Sequence, residues 1–258
     1  MKSLSEINFN NIKTVGIRVD FNIPIDENFK ITDNTRILRA RDTINFVKDQ
    51  NCKILLLSHF GRPKKTFDKK FSFQTLINQF SEVLDVKLNL LTYESFSKNG
   101  LSNFKNSNHQ ITLLENIRFF KGEIDNELTF SKLITDELDL YINEAFSASH
   151  RSHSSVYRMP KNITSVPGFN FEKEVLAIKK IKNSTKKKLA IIGGSKVSTK
   201  INTLLSLTKS CANIFIGGAM ANNFLKFKGT AVGSSLLEEG TEKMIKQIYA
   251  LAREKECE

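Results

Sequence analysis

The sequence predicts an α/β protein, a three-layer αβα arrangement on a parallel sheet, organised as two blocks of which the second is smaller. Three observations predict it. Short apolar runs alternate with segments of helical period along most of the chain. Ile54-Leu55-Leu56-Leu57 is apolar without alternation, the pattern of a strand buried on both faces. A polar stretch, Asn183-Ser184-Thr185-Lys186-Lys187-Lys188, separates two such series.

In chain order, residues 14–19 read as a strand. A helix follows, with Ile37, Ala40, Ile44 and Val47 on one face and Asp33 or Asn34 as its N-cap. Residues 53–58, 87–92, 111–115 and 138–143 read as further strands, and 72–84 and 127–136 as helices. Residues 171–182 form a helix bearing Val175, Ile178 and Ile181, placed to bridge two domains. The second block opens on a buried strand, Leu189 to Ile192, that enters the turn Gly193-Gly194. A second strand and glycine turn follow at Ile214-Phe215-Ile216-Gly217-Gly218. An amphipathic helix carries Met244, Ile245, Ile248, Leu251 and Ala252. The alternation then calls for another strand and none follows, so the second block has two strands, few for a stable sheet.

The 258 residues suit one large or two small domains, and 40% hydrophobic residues exclude a disordered or fibrous chain. The net charge of +12 points to anionic partners: nucleic acid, a membrane surface or phosphorylated small molecules. The lysine triplet 186–188 has no aromatic residues interleaved, as single-strand binding would need, and reads as a solvated linker. Three scattered cysteines, with no metal-ligand spacing, fit a reducing compartment. No apolar run reaches the ~20 residues of a membrane span, and the first residues lack a signal-peptide core. The expected localisation is cytoplasmic.

In open parallel sheets, ligands bind beyond the carboxyl ends of the strands. The residues that follow four strands are Asp20 and Asn22, His59 and Arg62, Arg118, and Arg151, and Arg36 opens the first helix. Singly, each arginine reads as a surface solubiliser or ion-pair partner rather than a ligand, His59 as a structural histidine and Asp20 as a turn brace. Together, at successive strand ends, they form a set of guanidinium and imidazole groups suited to a phosphorylated carboxylate. In the second block, Gly193-Gly194-Ser195-Lys196 follows a strand and Val197-Ser198-Thr199-Lys200 is expected to open a helix, with both lysines on one face. Such a turn lets a phosphate approach the backbone, though tight strand-to-helix turns alone also call for glycine. Neither the Walker A nor the dinucleotide glycine spacing is present.

These stretches resemble the phosphoglycerate kinase family. The matching motifs run in order: Arg18-Val19-Asp20-Phe21-Asn22-Ile23-Pro24, Thr35-Arg36-Ile37, Ser58-His59-Phe60-Gly61-Arg62-Pro63 and Leu113-Leu114-Glu115-Asn116-Ile117-Arg118-Phe119. His150-Arg151-Ser152-His153-Ser154-Ser155, Gly193 to Lys200, and Gly217-Gly218-Ala219-Met220-Ala221-Asn222 complete the set. The resemblance implies a bilobal, Rossmann-like protein that moves a phosphoryl group reversibly between 1,3-bisphosphoglycerate and ADP, giving 3-phosphoglycerate and ATP, in glycolysis. It implies an acid-binding set of Asp20, Asn22, Arg36, His59, Arg62, Arg118 and Arg151, with Arg36 and Lys200 catalytic. It also implies a nucleotide set of Gly194, Ser195, Lys196, Lys200, Gly217 and Gly218, with Mg2+ carried by ADP or ATP. The expected domains are 1–170 for the acid lobe, 171–186 for a helix and linker, and 187–258 for a partial nucleotide lobe.

Three positions depart from the family pattern: Glu144 in place of Asp, Ser147 in place of Gly, and Ala219 in place of a third glycine. The family's final glycine-rich turn, with its Mg2+ ligand, has no counterpart here, so no metal-ligand residue is assigned. The chain is therefore expected to be an incomplete second lobe on a complete first one, with little activity alone, monomeric when full length, and without nucleic-acid or membrane partners. The alternative is a module that binds a phosphorylated acid without turnover.

Overall fold

The computed structural model describes residues 2–64 and 66–258. The chain divides into two compact units, residues 1–178 and 179–258. Unit 1 contains β1 (Thr14–Arg18), α1 (Thr35–Asp49), β2 (Lys53–Leu57), α2 (Ile77–Leu84) and β3 (Leu88–Leu91). It continues through α3 (Tyr93–Asn99), β4 (Ile111–Leu114), α4 (Leu128–Thr135), β5 (Leu140–Asn143) and β6 (Ser165–Pro167). A long helix, α5 (Phe169–Asn183), runs through the division.

The six strands pair in the order β3-β4-β2-β1-β5-β6, and every pairing is parallel. The register sets Ile17 beside Leu56 and Leu56 beside Leu113, so the central strands end at a common edge. The unbroken apolar run of β2 follows from its place in the middle. Ile54 and Leu56 enter one core with Ile37, Ile44 and Phe80, while Leu55 and Leu57 enter the other with Phe96, Phe130 and Ile134. Each of those four β2 side chains is fully buried, which stabilises the sheet by roughly 1.5–3 kcal/mol apiece. These are the three layers that the alternation predicted. β6 and α3 are short, and neither carries a period long enough to announce it.

Unit 2 contains β7 (Leu189–Gly193), α6 (Ile201–Thr208), β8 (Asn213–Gly217), α7 (Ala219–Phe227) and α8 (Glu242–Glu254). β7 and β8 pair in parallel. Val197, Leu204, Met220, Phe224, Ile245 and Ile248 form its core, with Ile192, Ile214 and Ile216 packed against them. The reading of β7 as a buried strand is corrected. Leu189 and Ile191, with Phe215 of β8, remain 63%, 75% and 62% exposed, because the helices cover one face of this sheet only. Beyond α8, the backbone of Glu258 lies beside β8: its N–H donates to the Ala212 carbonyl at 2.9 Å, and its own carbonyl accepts from Ile214 N–H at 2.7 Å. No helix among the described residues is long and apolar enough to cross a membrane.

Candidate functional site

The common edge of β4, β2, β1 and β5 carries the first cluster. Asp20 accepts from Arg36 at 2.9 Å and from the Ser147 hydroxyl, which ties the end of β1 to α1 and to the segment after β5. Asn22 accepts from the Gly61 N–H at 2.8 Å. Arg118 donates to the Gly61 carbonyl at 2.6 Å, so the loops after β1, β2 and β4 meet at Gly61. Asn116 fixes that meeting. Its side chain donates to the Phe60 carbonyl at 2.7 Å and accepts from Arg118 N–H at 3.1 Å. Buried Glu115 accepts from Ser72 Oγ, Phe73 N–H and Asn116 N–H at 2.7–2.8 Å, so its charge is spent on loop geometry.

Arg118 is buried, and its Nε has no hydrogen-bond partner. Burial first, then the neighbouring Arg151 and Arg18, push its guanidinium down to about 10. Among the described residues, no carboxylate lies within ion-pair distance of Arg18, Arg62, Arg118 or Arg151. Arg18 and Arg118 are both buried, and a buried cation without a carboxylate partner is stabilised by an anion.

Arg18 is the residue that sequence reasoning missed. It is buried at the end of β1, donates through Nε to Ser155 Oγ at 3.0 Å, and reaches His59 Nδ1 at 3.0 Å. A guanidinium only donates, so His59 Nδ1 must accept and its proton sits on Nε2. Burial, reinforced by Arg18, Arg118 and Arg151, holds His59 down to about 2, so the ring is a neutral donor. Behind Arg18, buried Glu123 accepts from Ser155 N–H at 2.8 Å and from Ser155 Oγ at 2.7 Å. Burial raises the Glu123 carboxyl, against the pull of Arg18. His153 Nδ1 lies 3.7 Å from Glu123, and burial together with Arg118, Arg151 and Arg18 lowers His153 to about 4. The signal for Arg18 was available: a cation closing an otherwise apolar strand has to find partners.

In unit 2, the two glycine turns pack backbone to backbone. The Gly194 carbonyl accepts from Met220 N–H at 2.8 Å. Gly218 has φ +69°, and a Cβ there would stand 2.9 Å from that carbonyl. Gly217 pairs with Gly193 across the strands. The expectation that Lys196 and Lys200 share a helical face is corrected. Residues 197–200 form a turn, Lys196 precedes it, and α6 begins at Ile201, after Lys200. Val197 is buried and anchors this turn to the core. Glu238 occupies the turn, accepting from Ser198 N–H at 3.1 Å and from Ser198 Oγ. Ser195 lies at the bend between β7 and the turn. Unit 2 therefore offers two lysines beside a glycine turn, with part of the turn's backbone engaged by a carboxylate.

The fold and this edge define an α/β protein whose first unit gathers arginines and a neutral histidine at the carboxyl ends of a parallel sheet. A family model for phosphoglycerate kinase matches residues 4–258, and the chain belongs to that family. A phosphoglycerate kinase of Prochlorococcus marinus (strain MIT 9312) is 40% identical over 261 residues, covering 99% of this chain and 65% of the relative. One of Wolbachia sp. subsp. Drosophila simulans (strain wRi) is 37% identical, covering 95% and 61%. The solved phosphoglycerate kinase of Coxiella burnetii superposes with a TM-score of 0.84 at 33% identity, covering 99% of this chain and 64% of that one. That of Pyrococcus horikoshii OT3 gives 0.76 at 25% identity. The chain thus spans under two thirds of the length of these relatives.

Proposed function

We propose that unit 1 binds 3-phosphoglycerate or 1,3-bisphosphoglycerate, that unit 2 binds ADP or ATP, and that the protein serves reversible phosphoryl transfer in glycolysis, in the cytoplasm and as a monomer. The observation that carries this reading is the buried Arg118 with an unpartnered Nε, among arginines that lack carboxylate partners. Asp20, Asn22, Arg36, His59, Arg62, Arg118 and Arg151 form the acid site. Arg118 and Arg62 supply charge and forked donors, and the His59 Nε2–H supplies a neutral one. Asp20 holds Arg36 and Asn22 shapes the Gly61 loop. Gly194, Ser195, Lys196, Lys200, Gly217 and Gly218 form the nucleotide site.

In the transfer, the bond from phosphorus to the acyl oxygen of 1,3-bisphosphoglycerate breaks and a β-phosphate oxygen of ADP takes its place. The carboxylate of 3-phosphoglycerate leaves with the electron pair, and no protein nucleophile or proton is needed. Catalysis is then positioning and charge stabilisation, with Arg36 and Lys200 on the oxygens of the transferring group. Mg2+ accompanies nucleotide phosphates in such reactions. No cluster of three or more His, Cys, Asp or Glu side chains suited to a metal occurs among the described residues.

A coupled ATP-forming assay on the 258-residue chain is the test. Turnover that Arg36→Ala lowers on the order of 10²-fold, with a much smaller loss of 3-phosphoglycerate binding, supports the clamp; equal losses refute it. The second reading, an acid-binding module without turnover, draws on the engagement of the unit 2 turn by Glu238. Binding of 3-phosphoglycerate with no ATP formed selects it. Salt-sensitive duplex binding without response to 3-phosphoglycerate would instead indicate a nucleic-acid partner.

A further inference from the structure

Behind the arginine edge of unit 1 runs a buried polar chain formed by Arg18, Ser155, Glu123 and Tyr141. Glu123 sits in the short helical turn Lys121–Ile124, Ser155 in the segment Ser154–Arg158, and Tyr141 in β5. Ser155 is held at every polar atom. Its carbonyl accepts from the Tyr141 hydroxyl at 2.7 Å, and its N–H donates to Glu123 Oε2 at 2.8 Å. Its Oγ lies 2.7 Å from Glu123 Oε1 and 3.0 Å from Arg18 Nε.

Donor and acceptor chemistry fixes the direction of each bond. The Arg18 guanidinium only donates, so Ser155 Oγ accepts from Nε and its single proton goes elsewhere. Among the described residues, Glu123 Oε1 is the remaining partner within reach of Oγ. The hydroxyl therefore donates to Oε1 while the Ser155 N–H occupies Oε2, so both carboxyl oxygens accept, as in the ionised form. A Glu123 that gave its own proton to Oγ would strand the Ser155 hydroxyl proton as a buried, unsatisfied donor. His153 Nδ1, at 3.7 Å from Oε1, is too distant to take its place. The far side of Arg18 is fixed as well: Nη1 donates to the Val19 carbonyl, and Nη2 to His59 Nδ1 at 3.0 Å. His59 Nε2, by contrast, has no hydrogen-bond partner among the described residues.

We propose that Glu123 is a positioning residue of the acid site, acting through Ser155 and Arg18 on His59. By taking the Ser155 proton, its carboxylate turns a lone pair of Oγ toward Arg18 Nε. The guanidinium, pinned at Nε and Nη1, offers Nη2 to His59 Nδ1 and leaves the imidazole proton on Nε2, the ring nitrogen with no partner. The assignment rests on His59 belonging to the acid site proposed above. Glu123 needs no contact with substrate, since it sets which ring nitrogen carries the proton before any anion arrives. A donor preset in this way costs no reorganisation when the anion binds.

The test is NMR on the full, ligand-free chain, so its result is independent of whether 3-phosphoglycerate binds. In the unmodified chain near neutral pH, the Glu123 carboxyl carbon should show the ionised form. His59 should carry its proton on Nε2 with a bare Nδ1, and the Arg18 Nε–H should exchange slowly. Ser155→Ala keeps the backbone bond to Glu123 and deletes the hydroxyl. It should speed Arg18 Nε–H exchange at least ~10-fold and draw the two His59 nitrogen shifts toward each other as the second tautomer enters, while the β4 amides stay protected. Glu123→Gln sets its NH2 against the Ser155 N–H, or turns the Ser155 proton back on Arg18, and should do the same. A protonated Glu123, or a proton on His59 Nδ1, in the unmodified chain overturns the proposal. Arg18 exchange and His59 shifts that neither variant changes overturn it equally. The first two outcomes need only the unmodified protein.

Discussion

Arg118 is a cation placed where the protein alone does not favour one. Its charge is opposed by burial and by Arg151 and Arg18, so its removal relieves repulsion. Arg118→Ala should leave the denaturant midpoint unchanged or raised, while it weakens 3-phosphoglycerate binding by more than ~10-fold, as loss of a buried charge partner does. An arginine kept for packing would show the reverse. His59 gives a pH signature. Its folded value is held near 2, below the ordinary 6.5, so the unfolded chain takes up a proton that the folded chain refuses. Stability from this residue is complete above about 6.5 and declines as the pH falls below it, by up to about 1.4 kcal/mol per pH unit. Denaturant midpoints measured between pH 4 and 7 should show a shallower slope for His59→Gln than for the unmodified chain.

At the scale of elements, the two glycine turns of unit 2 carry a structural duty whatever they bind. With φ +69° and the Gly194 carbonyl at 2.9 Å from a modest added Cβ, Gly218→Ala should destabilise unit 2 by more than ~1 kcal/mol without any ligand, read by chemical denaturation. The central strands were legible in the sequence because β2 buries side chains on both faces and leaves no alternation to misread. The edge strand β6 was not, since Ser165-Val166-Pro167 is too short to show a period. The Lys196–Lys200 turn was misread because a strand followed by Gly-Gly is compatible with an immediate helix, and the carboxylate that shapes the turn, Glu238, lies forty residues further along. The positions of Asp20, His59, Arg118 and Arg151 at one edge follow from strand ends. The Arg18–Ser155–Glu123 support behind them depends on contacts between residues more than thirty apart, which no local pattern encodes.

For the molecule as a whole, the two units differ in how well they are enclosed. Unit 1 covers both faces of six strands, whereas the two-stranded sheet of unit 2 leaves Leu189, Ile191 and Phe215 bare. Native-state hydrogen exchange should resolve two levels of protection, with the β1 and β2 amides outlasting those of β7 and β8. Equal protection would contradict this division. The bare face should also bind an apolar dye, and Ile191→Thr combined with Phe215→Thr should reduce that binding. The +12 charge, which by itself pointed to any anion, gains a location in the unpaired arginines of unit 1. The most direct test of that location is calorimetric titration of the full chain with 3-phosphoglycerate at two ionic strengths. Saturable one-site binding, weakened by salt and reduced more than ~10-fold by Arg118→Ala, is the expected result. Absence of binding to the unmodified chain, or equal affinity in Arg118→Ala, would contradict it.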